Sequence, residues 1–244
     1  MKIKQIFYEK CFGKAEEGLR LHTAAKRVLE IIYKEGFRAD SFLDIGCGDG
    51  VITEKLKQAL KSKEAYGVDL SDEALELAAK RGIKVWKVDI DEEQLPFPDA
   101  NFELVYCGEI IEHLIDPDHL LDEVYRVLKP RGLFVLTTPN LAGWVNRLLL
   151  LFGYQPWGTE VSFRYDVGKP YYLRRKDMAG HLRVFTSRSL KELLMRHNFI
   201  DIRLYGAHIE YAPSMMLKLL RLLDYPSLIF PSLSMHNIIF ARKP

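Results

Sequence analysis

The sequence predicts a doubly wound α/β fold with a mostly parallel sheet and an antiparallel edge strand, on three observations. Short apolar runs alternate with stretches of helical spacing between residues 23 and 139. Two of those runs, FELVYCG and GLFVLTT, are apolar on both faces, as strands covered by helices on either side must be. A glycine-rich turn joins the first run to the helix after it, and in such sheets ligands sit outside the carboxyl ends of the strands.

The first element is a helix at 23–34 (TAAKRVLEIIYK), with Val28, Leu29, Ile32 and Tyr33 at helical spacing and Gly36 as its stop. SFLDIG is a short strand running into glycines, and VITEKLKQAL after Gly50 is a helix. AYGVDL and SDEALELAAKRG repeat strand and helix. KVWKVDI is a third strand and FELVYCG a fourth, followed by one or two helices in IIEHLIDPDHLLDEVYRVL. LKPRG reads as a turn, because Pro130 lacks a donor and Gly132 tolerates positive φ, and GLFVLTTP as a fifth strand. Beyond Pro139 the rhythm breaks. A short helix and turn in NLAGWVNRLLLLFGYQPWG lead into an aromatic, basic stretch, and residues 141–185 are expected to form an insert covering the active site within a single domain of residues 1–244. SRSLKELLMRHNF resumes helical spacing at Leu190, Leu193 and Leu194. IDIRLYGAHIEYAP and HNIIFARKP are expected to pair antiparallel at the sheet edge, with an amphipathic helix, PSMMLKLLRLLDYP, between them.

With 48% hydrophobic and 28% charged residues, the chain has the make-up of a globular domain, which excludes disordered, collagen-like and small disulfide-stapled classes. No run approaches the roughly 18 apolar residues of a membrane span, so a soluble protein is expected. Cys11, Cys47 and Cys107 are odd in number and lack metal-ligand spacing, which predicts neither disulfides nor a zinc site, and hence a reducing, cytoplasmic setting. MKIKQIFYEK has no apolar core of the secretory kind. Residues 1–140 carry 20 Lys and Arg against 26 Asp and Glu, whereas residues 141–244 carry 15 against 7. An anionic or amphipathic partner is therefore expected to meet the C-terminal part.

The sharpest local signal is LDIGCGDG at 43–50. Gly46, Gly48 and Gly50 let the chain bend and approach a ligand with no Cβ between them. A dinucleotide fingerprint would place glycine at 51, where Val51 stands, and no Gly-Lys-Ser/Thr follows as in a phosphate-binding loop. Asp44 and Asp49 make the turn anionic, which suits a ligand with a positive centre better than a pyrophosphate. Asp69, 19 residues beyond Gly50, ends the second strand where a carboxylate can accept both hydroxyls of a ribose; before Ser71 it can equally cap a helix. Asp89 with Ile90 ends the third strand, where a carboxylate and the following N–H suit the edge of an adenine, or else open a capped loop.

In order and spacing over about residues 41–140, LDIGCGDG, VDLS, VDI, LPFPDANFELVYCGEIIEHLIDP and LKPRGLFVLTTPN resemble the successive motifs of the class I S-adenosylmethionine-dependent methyltransferases. The resemblance is closest to the small-molecule branch that includes the ubiquinone-biosynthesis O-methyltransferases, and GHLRVFTSRSLKELLMRHNF resembles a weaker late motif of that branch. It implies a Rossmann-like fold and S-adenosyl-L-methionine as cofactor. Asp44, Gly46, Cys47, Gly48 and Gly50 would shape the turn around the methionine part, Asp69 would hold the ribose, Leu70 would pack on the adenine, and Asp89 and Ile90 would bind its edge. Cys107, Gly108 and Glu109, at the end of the fourth strand, would line the sulfonium and methyl region. Methyl transfer asks for positioning and partial negative charge more than for a covalent nucleophile, so Cys47 and Cys107 are expected as small packed residues. The expected reaction is transfer to an oxygen, with nitrogen or carbon second, of a small acceptor that is anionic or lipid-like.

Glu109, Glu112 and His113 are expected at the start of the helix after the fourth strand, where the helix dipole alone favours an acid. His113, with an ordinary pKa near neutrality, is one candidate general base; His181 in GHLRVF, carried over the methyl group by the cover together with Arg183, is the other. Glu109, Glu112, His113 and Asp116 lack metal-ligand spacing, so no metal is expected. CGEI stands where base-amine methyltransferases resemble one another in an Asn/Asp-Pro-Pro-aromatic string, which disfavours nucleic acid. The aromatic and basic residues of the cover, among them Trp144, Tyr154, Trp157, Phe163, Tyr165, Tyr171, Tyr172 and Arg175, either stack a partner or form a small core of their own. Peripheral membrane contact through PSMMLKLLRLLDYP is open, and the oligomeric state is not written in the sequence. An NAD-dependent oxidoreductase and a non-catalytic cofactor- or partner-binding module are the rival readings.

Overall fold

The computed structural model describes residues 23–162, 164–171, 174, 178–207 and 224–244. MKIKQIFYEK, Cys11, most of PSMMLKLLRLLDYP, and Phe163, Tyr172 and Arg175 lie outside the described residues. Helix α1 (Thr23–Glu35) precedes β1 (Ser41–Ile45), α2 (Val51–Leu60), β2 (Glu64–Asp69), α3 (Asp72–Lys80), β3 (Lys84–Lys87), β4 (Phe102–Gly108), α4 (Pro117–Val127) and β5 (Leu128–Pro139). After these come α5 (Trp144–Leu151), α6 (Ser187–Arg196), β6 (Ile200–Tyr205), the short α7 (Pro226–Ile229) and β7 (His236–Arg242).

The strands form one seven-stranded sheet in the order β3-β2-β1-β4-β5-β7-β6. The first five are parallel; β7 runs antiparallel to β5, and β6 antiparallel to β7. Alternation along each strand feeds two cores. Leu43, Ile45, Cys107, Phe134 and Leu136 pack with Leu120, Val124, Leu190 and Leu194 from α4 and α6. Phe42, Leu104, Tyr106 and Val135 pack with Val28, Leu56 and Leu75 from α1, α2 and α3. Both faces are therefore dry, which is why these strands read as unbroken apolar runs. The winding reverses between β1 and β4, where Ile45 at the end of β1 pairs with Cys107 near the end of β4, so the glycine turn and the segment after β4 open at the switch point.

Two local expectations are corrected. Tyr33 is 80% exposed while Ile31 is buried, because the buried face of α1 runs through Ala24, Val28, Ile31 and Ile32. LKPRG is not a turn between elements but an excursion inside β5: Phe102 pairs with Leu128 and Leu104 with Leu133. The positive φ there, 64°, belongs to Arg131 and not to Gly132. Gly132 is required by crowding instead, since a Cβ would lie 2.7 Å from the Lys129 carbonyl oxygen. Among the described residues no helix is long and apolar enough to cross a membrane.

Candidate functional site

All three glycines of the turn adopt positive φ, 76° at Gly46, 53° at Gly48 and 79° at Gly50, a region that costs other residues about 1–2 kcal/mol. Two of them are also packed: a Cβ on Gly46 would run into the Ile110 side chain, and one on Gly50 would lie 2.5 Å from Ile83 Cδ1. Gly48 differs, because nothing lies within 4 Å of where its Cβ would be. It presents bare backbone to open space, as a close-fitting ligand requires. The Gly46 and Cys47 amides are held by the Val68 carbonyl at 2.8 and 3.1 Å, and Gly50 caps α2 without a side chain.

Asp69 is 5% exposed at the end of β2. Its Oδ2 accepts from Gly48 N–H at 2.8 Å and its Oδ1 from Ser71 N–H at 3.0 Å, while Ser71 itself caps α3. One carboxylate thus ties the first turn to the second. The two acids of the turn have different fates. Asp44 is buried and accepts from Thr53 Oγ1 at 2.6 Å; burial chiefly, opposed by that bond and helped by Asp69, pushes its carboxyl up to about 7. Asp49 accepts from Val51 N–H and has Arg81 beside it, 4.0 Å from Oδ2. The turn is consequently less anionic than its sequence suggests. Asp89 uses Oδ1 to cap Asp91 N–H at 3.2 Å, the capped-loop arrangement, with Ile90 buried beside it. Cys47 and Cys107 are buried free thiols, pushed up by desolvation first and then by nearby carboxylates; they are packed residues as expected, not thiolates.

Glu109, Glu112 and His113 do not begin a helix. After β4 the chain forms a 3-10 turn at Ile111–His113, and α4 starts at Pro117 with Asp116 as its cap, accepting from the Asp118 and His119 amides. The dipole explanation for the acids therefore fails, and burial takes its place. Glu109 has φ 56° and stands 3.6 Å from His236 Nδ1. Glu112 is fully buried and accepts from Thr138 Oγ1 at 2.8 Å; desolvation, then the charge of Glu109, pushes its carboxyl well above the usual range.

The cover docks on this turn. The Glu112 carbonyl accepts from the Leu182 and Arg183 amides at 2.8 and 3.1 Å, and Arg183 donates to the Leu114 carbonyl. His113 Nδ1 is 3.2 Å from Gly180 O, His181 Nδ1 is 2.6 Å from Gly158 O, and the two rings are 4.9 Å apart between centroids. The two rival bases are neighbours. Burial, then the His181 ring, lowers His113 to about 4. Glu160, which no local signal marks, clamps the cover by accepting from the Ala179 and Gly180 amides, both at 2.7 Å. Although Glu109, Glu112, His113 and Asp116 lack metal-ligand spacing along the chain, in space Glu112, His113 and His181 bring one ligand atom each within 4.8 Å of one another. Among the described cover residues the aromatics divide: Tyr165 and Tyr171 are 67% and 86% exposed, while Trp144 and Trp157 are half-buried.

Residues 43–136 match the family described as a methyltransferase domain. The ubiquinone biosynthesis O-methyltransferase of Idiomarina loihiensis is 26% identical over 163 residues, covering 62% of this chain and 64% of that one. The mitochondrial arginine-hydroxylase NDUFAF5 of Rattus norvegicus is 36% identical over 93 residues, covering 38% of this chain and 27% of the rat protein. The chain thus spans less than two thirds of these curated relatives. The crystal structure of a SAM-dependent methyltransferase from Aquifex aeolicus superposes over 100% of both chains with a TM-score of 0.59 at 14% identity, a likeness of fold.

Proposed function

We propose that this chain, whose residues 43–136 are a class I S-adenosylmethionine-dependent methyltransferase domain, moves a methyl group to an oxygen of a small acceptor seated under residues 141–185. The observation that carries the reading is the open face of Gly48 beside the Asp69 carboxylate at the switch point. The residues present fit S-adenosylmethionine: a ligand can lie on bare backbone at Gly48, and the Asp69 carboxylate beside it, at the end of β2, is of the type that accepts ribose hydroxyls. Leu70, Asp89 and Ile90 suit the adenine, Asp44, Gly46, Cys47 and Gly50 shape the methionine side, and Cys107, Gly108 and Glu109 face the methyl region. When bound, the cofactor supplies a methyl carbon on a positively charged sulphur; a C–O bond forms as the C–S bond breaks.

The acceptor hydroxyl must give up a proton. His113 and His181 both turn Nδ1 toward a carbonyl, which only accepts, so in the neutral ring Nδ1 carries the hydrogen and Nε2 keeps the lone pair. At neutral pH His113, held down at about 4, is unprotonated, which makes it a weak base. Burial disfavours the charged form of Glu112 beside the pair. Exposed Leu148, Leu151 and Phe152 on and after α5, near Arg147, support an amphipathic or lipid-like acceptor and peripheral contact with a membrane.

Calorimetric titration with S-adenosylhomocysteine is the first test; a folded chain that ignores it at millimolar concentration sinks the reading. A panel of phenolic, catecholic and amine acceptors with methyl-labelled cofactor is the second, with label expected on oxygen. Replacing either histidine by glutamine should cut turnover by roughly 100-fold without moving cofactor affinity. Binding without turnover on any acceptor leaves a cofactor-binding module.

A further inference from the structure

At the opposite end of the sheet from the glycine turn, the segment that leads into β1, the amino ends of β4 and β5 and the carboxyl end of β7 line a cleft of about 290 Å³. Methyl transfer at the strands' carboxyl ends gives this cleft no role. Its floor is apolar, made by Phe37, Leu104 and Leu133, and its rim carries Arg38, Lys129, Arg131 and Arg242 against the single acid Glu103. Glu103 is already committed on both oxygens, to Asp40 N–H at 2.6 Å and to Lys129 Nζ at 3.1 Å.

Among the described residues, the three guanidinium groups of the rim have no ion pair with a carboxylate side chain, unlike four other cations of the surface. Arg81, Lys84, Lys87 and Arg126 each meet a carboxylate. Arg38 and Arg242 are held instead by carbonyls, Arg38 donating to Phe37 O at 2.7 Å and Arg242 to Arg131 O at 2.8 Å. A carbonyl orients a guanidinium without cancelling its charge, and each fork keeps further N–H donors. Arg131 is exposed and stands in left-handed backbone, with its own N–H taken by the Lys243 and Pro244 carbonyls. Like charges so gathered repel one another unless an anion joins them, and a planar fork matches a carboxylate or phosphate in two parallel bonds.

We propose that this cleft is a second binding site, for a small organic anion with an apolar body: the anionic head, a carboxylate or phosphate monoester, meets Arg38, Arg131 and Arg242, and the body rests on Phe37, Leu104 and Leu133. The volume sits at the lower end of small-ligand pockets, so the ligand is about the size of one substituted ring. The site is independent of the methyl-transfer reading. Strands β1 and β4 run from it to the glycine turn and to Cys107, which gives an occupant a route by which to be felt there.

The probes are phenyl phosphate, benzoate, inorganic phosphate and benzyl alcohol, titrated into the full chain with and without S-adenosylhomocysteine. Phenyl phosphate or benzoate is expected to bind at millimolar concentration or better, the stronger of the two telling phosphate from carboxylate recognition. Inorganic phosphate should bind roughly tenfold more weakly and benzyl alcohol should not register. The double variant Arg38→Gln, Arg131→Gln, both exposed, should lose roughly tenfold in affinity for the anionic probe while keeping its melting temperature. Silence from both ring anions, equal binding of inorganic phosphate, an unchanged double variant, or displacement of the probe by S-adenosylhomocysteine overturns the proposal.

Discussion

The two sides of the switch point, proposed above as a cofactor wall and an acceptor wall, are held by different means. On the cofactor wall, residues 46–50 and 107–109 hang from β1 and β4, and their shape comes from backbone: three left-handed glycines, amides held by Val68 O, and one carboxylate, Asp69. On the acceptor wall, the described residues of 158–185 have little regular structure, and their shape comes from side chains and carbonyls far along the chain: Glu160 on Ala179 and Gly180, Glu112 O on Leu182 and Arg183, and the His113–His181 contact. The first wall is fixed by a sheet that buries two cores; the second is latched on. A fold built so can keep one cofactor while its acceptor changes, since loops on a rigid frame are where chemistry is retailored.

The largest effect that would break this contrast is at Gly46. Gly46→Val adds a clash with Ile110 to a positive φ, and should cost more than about 4 kcal/mol in urea denaturation; a variant as stable as the parent would show that the cofactor wall is not set by backbone. The two walls should also titrate in opposite directions. Asp44 has a folded pKa of about 7 against an ordinary 3.8, so its neutral form is the stable one: stability is full below about pH 4 and falls by roughly 4 kcal/mol as pH rises to 7. Asp44→Asn should flatten that limb. His113, at about 4 against an ordinary 6.5, contributes fully above pH 6.5 and loses up to roughly 3 kcal/mol as pH falls to 4; in His113→Gln this acid limb should disappear. Stability curves whose two limbs ignore these replacements would remove the distinction.

Smaller changes sharpen it. Asp69→Ala frees the Gly48 and Ser71 amides and should weaken S-adenosylhomocysteine binding by about 1–3 kcal/mol, as read by calorimetry, with cover protection in hydrogen exchange unaltered. Glu160→Gln leaves one good acceptor for two amides, Ala179 and Gly180, and should raise exchange at both by about 1 kcal/mol of opening free energy while cofactor affinity stays put. Coupled losses in either variant would mean the walls are one unit.

How far the sequence reached varies from one wall to the other. The strands, the glycine turn and Asp69 were legible because each is a local pattern: apolar period, φ tolerance, an acid at a strand end. The same locality misled at Glu112, placed by its neighbours at a helix start, when Asp116 performs the capping and Glu112 is buried under the cover. It misled at Asp49, whose partner Arg81 lies on the far side of β2 and α3 in sequence. Glu160 had no local mark, because its two partners are 19 and 20 residues on in a stretch without periodicity.

By itself the sequence determined the α/β class, the order of its elements and the place of the turn, since hydrophobic period and glycine φ are properties of a short stretch. Only the folded chain decided that His113 and His181 meet, that burial lifts the Asp44 carboxyl to about 7 while Asp49 leans on Arg81, and that four cations ring a cleft at the sheet's other end. Those facts depend on burial and on distances between residues remote in sequence, and neither desolvation nor Coulomb energy is set until the chain has closed around them.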